Sequence, residues 1–249
     1  SHKIEDINIA YCPERVIPGK TLIELVSNDR VIGGLTKKSS DMARNFYKTF
    51  CKGRLFLTNS KTAELVKLTE NSYRDVNIAF ANELSVICDN LDINVWELVK
   101  FSNFHPRVNI LNPGCGVGGH CIAVDPWFIA SAFPSDTKLI QTARYINSYK
   151  TNWIIDKVSK KISILEKKHK RPIKICCMGL AFKPNVDDLR ESPAEKIALK
   201  LLMKGLTISA CEPNINTHDS IKLLKIDEAI KNSDMLVFLV PHKEFFNLK

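Results

Sequence analysis

One cysteine in this sequence is set among glycines. The stretch GCGVGGHCIAVDP, Gly114 to Pro126, carries four of the chain's ten glycines (Gly114, Gly116, Gly118 and Gly119) just ahead of Cys121. Glycine tolerates positive φ and lets main chain approach a ligand closely. Such a path can bring the Cys121 thiol against a substrate and aim main-chain N–H groups at it. The same residues equally suit a tight turn around a buried cysteine. His120 beside Cys121 suggests a Cys–His nucleophile, but adjacent side chains diverge, so a base would come from elsewhere in the chain. Asp125, four residues on, is one candidate, and a capping or solvated acid is the plain alternative. Lys67 and Asn71 are four apart and share one face of a helix, with Arg74 next along it. On spacing alone they read as a solvated polar face, with Glu70 and Arg74 as an ordinary helix pair. In AFKPNVDDLRESP, Lys183 and Arg190 flank Asp187 and Asp188. A lysine and an arginine in a loop at a sheet edge can clamp phosphates. Ser192 reads as a helix cap.

Composition narrows what these residues can belong to. The chain has 249 residues, 45% of them hydrophobic and 25% charged, as in ordinary globular proteins. No apolar run reaches the roughly 18 to 20 residues that span a bilayer. The stretch SHKIEDINIA lacks the apolar core of a secretory signal. The expectation is a cytoplasmic protein with no membrane partner. None of the eight cysteines forms a C-x-x-C pair, so a zinc ribbon or a thioredoxin motif is not supported and no metal is expected. Cys176-Cys177 sits in an apolar run where free cysteine acts as a small hydrophobe. The net charge of +9 concentrates in KKISILEKKHKRPIK. That run lacks interleaved aromatics and any nucleic-acid module, so no nucleic-acid partner is expected. A basic balance also suits a polyanionic small ligand.

The elements that must position these groups fall into two parts. Ile7–Arg15 is expected to open with a short apolar strand that runs into a Pro-containing loop, with further short strands at Val31–Gly34 and Leu55–Asn59 and a helix over Ser39–Cys51. From Ser60 a three- and four-residue recurrence through Leu65, Leu68, Ser72, Val76, Ala79, Glu83 and Val86 predicts a helix of about 30 residues. A helix over Asn94–Phe101, a Pro/Gly-rich stretch from His105 to Pro126 and a helical region from about Asp136 to Lys168 follow. Composition changes at Arg171-Pro172. Ile173–Leu180 is a continuous apolar strand. The next helix is punctuated by Ser192, Pro193 and Gly205. A strand over Leu206–Glu212, a helix over about 219–232 and a strand over Met235–Val240 complete the pattern. Continuous apolar strands alternating with helices mean a parallel sheet covered on both faces. Ligands of such sheets bind at the carboxyl ends of the strands, where Gly179–Glu191 lies. The segment Gly114–Gly119 matches G-x-G-x-x-G only imperfectly and no strand leads into it, so it is not a dinucleotide fingerprint.

Four blocks in order, IAYCPERVIPG, ELVKLTENSYRDVNIAFANEL, HPRVNILNPGCGVGGHCIAVDPWF and GLAFKPNVDDLRESPA, resemble the UDP-glucose/GDP-mannose dehydrogenase family and cover nearly the whole chain. The resemblance implies an α/β chain in three parts: a remnant of an NAD-binding domain at 1–59, a central helical dimerisation domain at 60–168 with the cysteine loop, and a Rossmann-like UDP-binding domain at 171–249. It implies a UDP-sugar substrate: HCIAVDPWF favours UDP-N-acetyl-D-mannosamine over UDP-glucose by likeness, with UDP-N-acetylglucosamine and UDP-N-acetylgalactosamine as close alternatives. The sugar is oxidised to the uronate in two NAD-dependent hydride transfers, for cell-surface polysaccharide synthesis. Cys121 would capture the intermediate aldehyde and then carry a thioester. Lys67 and Asn71 would steady the oxyanion, Asp125 would order a water, and Glu14 would act as base in hydrolysis. Gly118, Gly119, Arg107 and Lys183 would contact substrate, Arg107 reaching across a homodimer built on the long helix. Arg190 would lie at the cofactor end. The family's strand–GxGxxG–helix and the end of its UDP domain find no counterpart here. The expectation is therefore a chain truncated at both ends, unable to transfer hydride alone. A remnant that only binds UDP-sugar or dimerises is the alternative.

Overall fold

The computed structural model describes residues 7–16, 20–246 and 248. The first six residues of SHKIEDINIA and the last three of IAYCPERVIPG, Ile17 to Gly19, lie outside them. The chain forms two compact units, the first ending at Asn71 and the second beginning at Ser72.

In the first unit, β1 (Ala10–Tyr11) runs antiparallel to β2 (Arg30–Gly34), and β2 is parallel to β3 (Leu55–Asn59). The short strand expected at the opening of Ile7–Arg15 is the two-residue β1, and the segment from Cys12 on is loop. Two helices accompany the sheet, α1 (Thr21–Ser27) and α2 (Lys37–Lys48). The sequence reading missed α1, a seven-residue helix with no buried residue and so no apolar stripe to betray it. It placed the start of α2 two residues late. Thr36 caps the helix, its Oγ1 accepting from the Ser39 N–H at 3.1 Å.

The long helix α3 (Ser60–Asn90) carries the chain from the first unit into the second. It has 31 residues, close to the predicted length. In the second unit, α4 (Val95–Ser102) begins at Asn94, whose Oδ1 accepts from the N–H groups of Trp96 (2.9 Å) and Glu97 (3.4 Å). Next come α5 (Asp125–Ala132) and the 32-residue α6 (Lys138–His169). The sequence reading ran the Pro/Gly-rich stretch to Pro126 and placed no helix between there and Asp136. The structure starts α5 at Asp125, because a proline in the first turn gives up only an N–H that would have no helical partner.

The remaining elements are β4 (Lys174–Met178), α7 (Pro193–Met203), β5 (Thr207–Cys211), β6 (Lys222–Leu223), α8 (Ile226–Asn232) and β7 (Met235–Phe238). They build a parallel sheet in the order β6-β5-β4-β7. The helix expected over 219–232 is confined to its last turns. Upstream, the Ser220 and Ile221 N–H groups donate to His218 Nδ1 at 3.1 Å each, and Leu224 N–H to the Ala210 carbonyl at 2.8 Å, so this segment pairs with β5 instead. Both faces of the sheet are covered. Ile155, Val158 and Ile162 of α6 and Ile197 and Leu201 of α7 pack with Ile175 and Cys177 on one face. Cys176, Met178, Cys211, Ala229 and Phe245 form the other. Strand alternation therefore sends the adjacent thiols of Cys176 and Cys177 into opposite cores. Burial pushes the Cys177 thiol up to about 12. α7 starts at Ser192, whose Oγ accepts from the Glu195 N–H (3.3 Å) and donates to the Leu180 carbonyl (2.6 Å).

Candidate active site

The glycine loop is fastened at both ends within the second unit. At its start, the Gly114 N–H donates to Asn82 Oδ1 on α3 (2.8 Å), and Thr151 Oγ1 on α6 donates to the Cys115 carbonyl (2.8 Å). Behind these contacts lies a buried polar ladder between the two long helices. Asn82 Nδ2 donates to Asn147 Oδ1 (2.8 Å), and Asn147 Nδ2 donates to Asp75 Oδ1 (2.8 Å). Arg144 pairs with the same carboxylate oxygen at 2.7 Å. Lys150 Nζ donates to Ser85 Oγ (2.7 Å), which in turn donates to the Asn82 carbonyl (2.6 Å). Burial raises the Asp75 carboxyl, against the pull of Arg144 and Asn147. Burial also brings the Lys150 ammonium down to about 8, opposed by Cys115 and Asp89. Lys150 sits 4.0 Å from the centre of the Trp153 ring, a cation–π contact that compensates part of its desolvation.

At its far end the loop is clamped to the segment between β4 and α7. The Gly119 N–H donates to the Arg190 carbonyl at 2.9 Å. Gly119 has φ +83°, and a Cβ there would stand 2.9 Å from the Phe182 ring. A Cβ on Gly118 would meet the Glu191 carbonyl at 2.6 Å and Pro193 at 2.8 Å. Both positions need glycine for close approach, and Gly119 also needs it for backbone conformation. Cys121 follows, partly exposed, and its carbonyl accepts from the N–H groups of Val124 (3.0 Å) and Asp125 (2.8 Å) at the start of α5.

The facing segment is held just as firmly. Glu212, at the end of β5, is buried and accepts from the N–H groups of Leu180 (2.7 Å) and Ala181 (3.0 Å) and from the buried His242 at 3.0 Å. His242 Nδ1 accepts from the Asn185 N–H at 3.0 Å, which places the ring proton on Nε2. Burial raises the Glu212 carboxyl, but the N–H groups of Leu180, Ala181 and Asn214 and the His242 ring outweigh it and hold it below its ordinary value. Asp188 grips Arg190 by a forked pair, and mainly through those hydrogen bonds its carboxyl is held at about 2.

Of the residues singled out in the sequence, Gly118, Gly119, Cys121, Asp125, Phe182's neighbour Lys183 and Arg190 belong to this loop and its facing segment. The Lys183 Nζ lies 5.6 Å from the Phe182 ring centre. Arg107 is not joined to them: it stands on an exposed turn, its N–H donating to His105 Nδ1 at 3.3 Å. The other three lie in the first unit. Lys67 Nζ donates to the Glu14 carbonyl at 2.6 Å, and Glu14 Oε1 accepts from the N–H groups of Arg15 (2.6 Å) and Val16 (2.8 Å). Asn71 is one turn beyond Lys67 on α3. Glu70 pairs with Arg15 at 2.8 Å and not with Arg74 as the helix spacing suggested. The sequence reading missed Asp75, Asn82, Arg144, Asn147, Phe182, Glu212 and His242, and gave Asp188 no role of its own. A signal existed for part of this set: Asp75, Asn82 and Ser85 on α3, and Arg144, Asn147, Lys150 and Thr151 on α6, recur at helical spacing on otherwise apolar faces.

A cavity of about 740 Å³ opens beside the start of the loop, lined by Gly114, Cys115, Lys150, Trp96, Trp153 and Phe238 among others, and by none of the predicted catalytic or binding residues. Among the described residues, no helix is long and apolar enough to cross a membrane, and no three His, Cys, Asp or Glu side chains gather to hold a metal ion.

Comparison with known proteins agrees with this arrangement. Residues 1–51 match the NAD binding domain of the UDP-glucose/GDP-mannose dehydrogenase family, residues 61–149 its central domain and residues 176–249 its UDP binding domain. A UDP-N-acetyl-D-mannosamine dehydrogenase of Campylobacter jejuni is 53% identical over 99% of this chain and 61% of its own length. The protein of that name from Escherichia coli K12 is 54% identical over 96% of this chain and 59% of its own. The chain thus spans about three fifths of these relatives. Among solved structures, a UDP-D-ManNAc dehydrogenase from Pyrococcus horikoshii aligns with TM-score 0.87 at 38% identity, over 98% of this chain and 57% of that one. A UDP-N-acetyl-mannosamine dehydrogenase from Staphylococcus aureus aligns with TM-score 0.86 at 44% identity, over 98% and 57%. Three successive domain matches, the glycine–cysteine loop and the α/β unit that clamps it lead to one conclusion: the chain belongs to the UDP-glucose/GDP-mannose dehydrogenase family.

Proposed function

We propose that this chain is part of an NAD-dependent nucleotide-sugar dehydrogenase that oxidises UDP-N-acetyl-D-mannosamine to its uronate, in the cytoplasm, for cell-surface polysaccharide. The division 1–59, 60–168 and 171–249 is the proposed domain plan. The supporting observation is the presentation of Cys121: partly exposed, at the end of a loop whose last glycines are closed against Phe182, Glu191 and Pro193.

In this reading the C6 alcohol of the sugar is first oxidised to an aldehyde. The Cys121 thiolate adds to the aldehyde carbon, and the second oxidation leaves a thioester, a step suited to sulfur because a thiolate is both nucleophile and leaving group. Water then cleaves the thioester, returning the thiol and releasing the carboxylate. Lys67 and Asn71 stabilise negative charge on the sugar oxygen. Asp125 orders the water, and Glu14 accepts its proton. Gly118, Gly119 and Lys183 bind the substrate, and Arg107 does so across a homodimer. The dimer forms on α3, which exposes Tyr73, Phe80 and Ile87. NAD, when bound, supplies the hydride acceptor, with Arg190 at its reactive end. The Gly114–Gly119 loop does not fit the pyrophosphate, since no strand enters it and its last glycines are closed off.

The test is NADH production monitored with UDP-N-acetyl-D-mannosamine and NAD. Two NADH per sugar, lost in Cys121→Ala, are expected of the active protein. Turnover that survives Cys121→Ala would overturn the role of the cysteine. A second reading, binding of UDP-sugar and dimerisation without turnover, draws on the match of residues 176–249 to the family's UDP binding domain. It predicts that UDP raises the melting temperature while no NADH forms.

A further inference from the structure

Lys150 stands where the polar ladder meets the cavity of about 740 Å³. It is 6% exposed, and its Nζ donates to Ser85 Oγ at 2.7 Å. An ammonium carries three N–H donors, and Ser85 Oγ is the one hydrogen-bond acceptor that this one meets among the described residues. The Trp153 ring, 4.0 Å away, attracts the charge but accepts no conventional hydrogen bond. Around Lys150 the cavity wall is mainly apolar, with Trp96, Trp153, Val237, Phe238 and Phe245. Trp96 and Phe238 are each 56% exposed, so the cavity is open to an entering molecule. Two other ionisable groups of the lining leave the positive charge uncancelled. Asp89 is paired with Lys157. The Cys115 thiol donates to the Leu239 carbonyl at 3.2 Å, and burial pushes it up to about 12, so it stays neutral.

We propose that this cavity binds a small amphiphilic carboxylate, its apolar body against Trp96, Trp153 and Phe238 and its carboxylate on Lys150 Nζ. Small-molecule sites have this make-up: a volume of about 300–1,000 Å³, walls that are mostly apolar, and a few polar groups that fix orientation. A carboxylate gives the remaining N–H donors an acceptor through a charge-assisted bond. It also offsets the desolvation of the ammonium, which burial draws down to about 8. A neutral ligand of the same shape would cover the rings and leave the charge unmet. The site uses none of the residues assigned to the oxidation, so it stands or falls apart from the role of Cys121.

The experiment titrates the purified chain near neutral pH with phenylbutyrate and with phenylbutyramide, its neutral counterpart, following the heat of binding and tryptophan emission. The acid should bind about tenfold to a hundredfold more tightly than the amide, the worth of one hydrogen bond between charged groups. Lys150→Met should bring the two within about twofold of each other while still binding the amide, which shows that the cavity persists. Lys150→Arg should keep the preference for the acid. Of the chain's three tryptophans, Trp96 and Trp153 line the cavity and Trp127 stands on α5. The change in emission should therefore survive Trp127→Phe and vanish in Trp96→Phe/Trp153→Phe. Equal affinity for acid and amide in the parent would overturn the proposal with no variant needed. So would failure of both to bind, a preference for the acid that outlives Lys150→Met, or an emission change carried by Trp127. No turnover enters the readout, so the result is independent of whether NADH forms.

Discussion

Arg144→Leu should be among the most destabilising single changes in the second unit, and the ladder between α3 and α6 sets the size. The Asp75 side chain is fully enclosed and that of Arg144 is 8% exposed, so water does not screen the pair. Asp75 Oδ2 has no hydrogen-bond partner, and Oδ1 is shared by Arg144 at 2.7 Å and Asn147 at 2.8 Å. Deleting the guanidinium leaves a buried carboxylate on one amide N–H. Breaking one side of such a pair costs about 3–5 kcal/mol, a large part of the 5–15 kcal/mol that holds a typical domain together. Replacing both partners by leucine removes the stranded charge. Asn147 Nδ2 then keeps only its bond to the Asp75 carbonyl at 3.1 Å. Asp75→Leu/Arg144→Leu should therefore lie within about 1–2 kcal/mol of the parent. Urea unfolding followed by far-UV circular dichroism measures each corner of the cycle. The pH dependence supplies a second check. Burial raises the Asp75 carboxyl in the fold, so the favourable contribution of its protonated form is present at low pH and lost as pH rises through the folded value. The deficit of Arg144→Leu should narrow from pH 7 to pH 5. A single-variant cost below about 1 kcal/mol with an unchanged denaturant slope, or no recovery in the double variant, would refute a counter-charge role for Arg144.

Gly119→Ala should cost about 1–3 kcal/mol, because φ +83° strains any L side chain and the new Cβ would meet the Phe182 ring at 2.9 Å. Trimming that ring in Gly119→Ala/Phe182→Leu should recover only the contact part, as thermal melts of Gly119→Ala, Phe182→Leu and the double variant would report. Glu212→Gln should cost about 1–3 kcal/mol, since the amide accepts less well from Leu180, Ala181 and His242. The Glu212 carboxyl is held low in the fold, so its contribution is present above the ordinary glutamate range and lost as pH falls. An acid titration of stability should therefore be flatter in the variant below about pH 4.5. Lys150 titrates at about 8 in the fold, so between there and its unfolded value the unfolded chain binds more protons. The stability of the parent minus that of Lys150→Met should rise by about 1–3 kcal/mol from pH 7.5 to pH 10. The difference is needed because burial holds Cys115, Cys177 and Cys211 at about 12, and their unfolded thiols, which ionise near neutral-to-alkaline pH, pull stability down in both proteins as pH rises. A flat difference curve would reject the burial of a charged lysine.

How much of this could be read from residues alone follows from the range of the interactions. α3 was legible because helical periodicity is local and persists for 31 residues. α7 was legible because its cap, its first-turn proline and Gly205 all lie within a short stretch. The apolar run of β4 announced a strand covered on both faces, and the sheet buries it on both. What escaped depends on partners distant in sequence. Asp75 looks like a surface acid until Arg144, 69 residues on, meets it in the interior. Glu212 looks like an exposed strand end until His242 and the turn at Leu180 close over it. α5 and the pairing of β6 were lost for the opposite reason, being too short to show a period. Cys121 stands between these cases. Its glycines marked it out as a group brought close to something, because backbone freedom is written in residue type. The contact that seats its loop is the main-chain bond from Gly119 to Arg190, which joins positions 71 residues apart and leaves no trace in the spacing of either block. The glycine setting of Cys121 was therefore legible in sequence, whereas the contacts that seat its loop come from residues far along the chain and are read only from the fold.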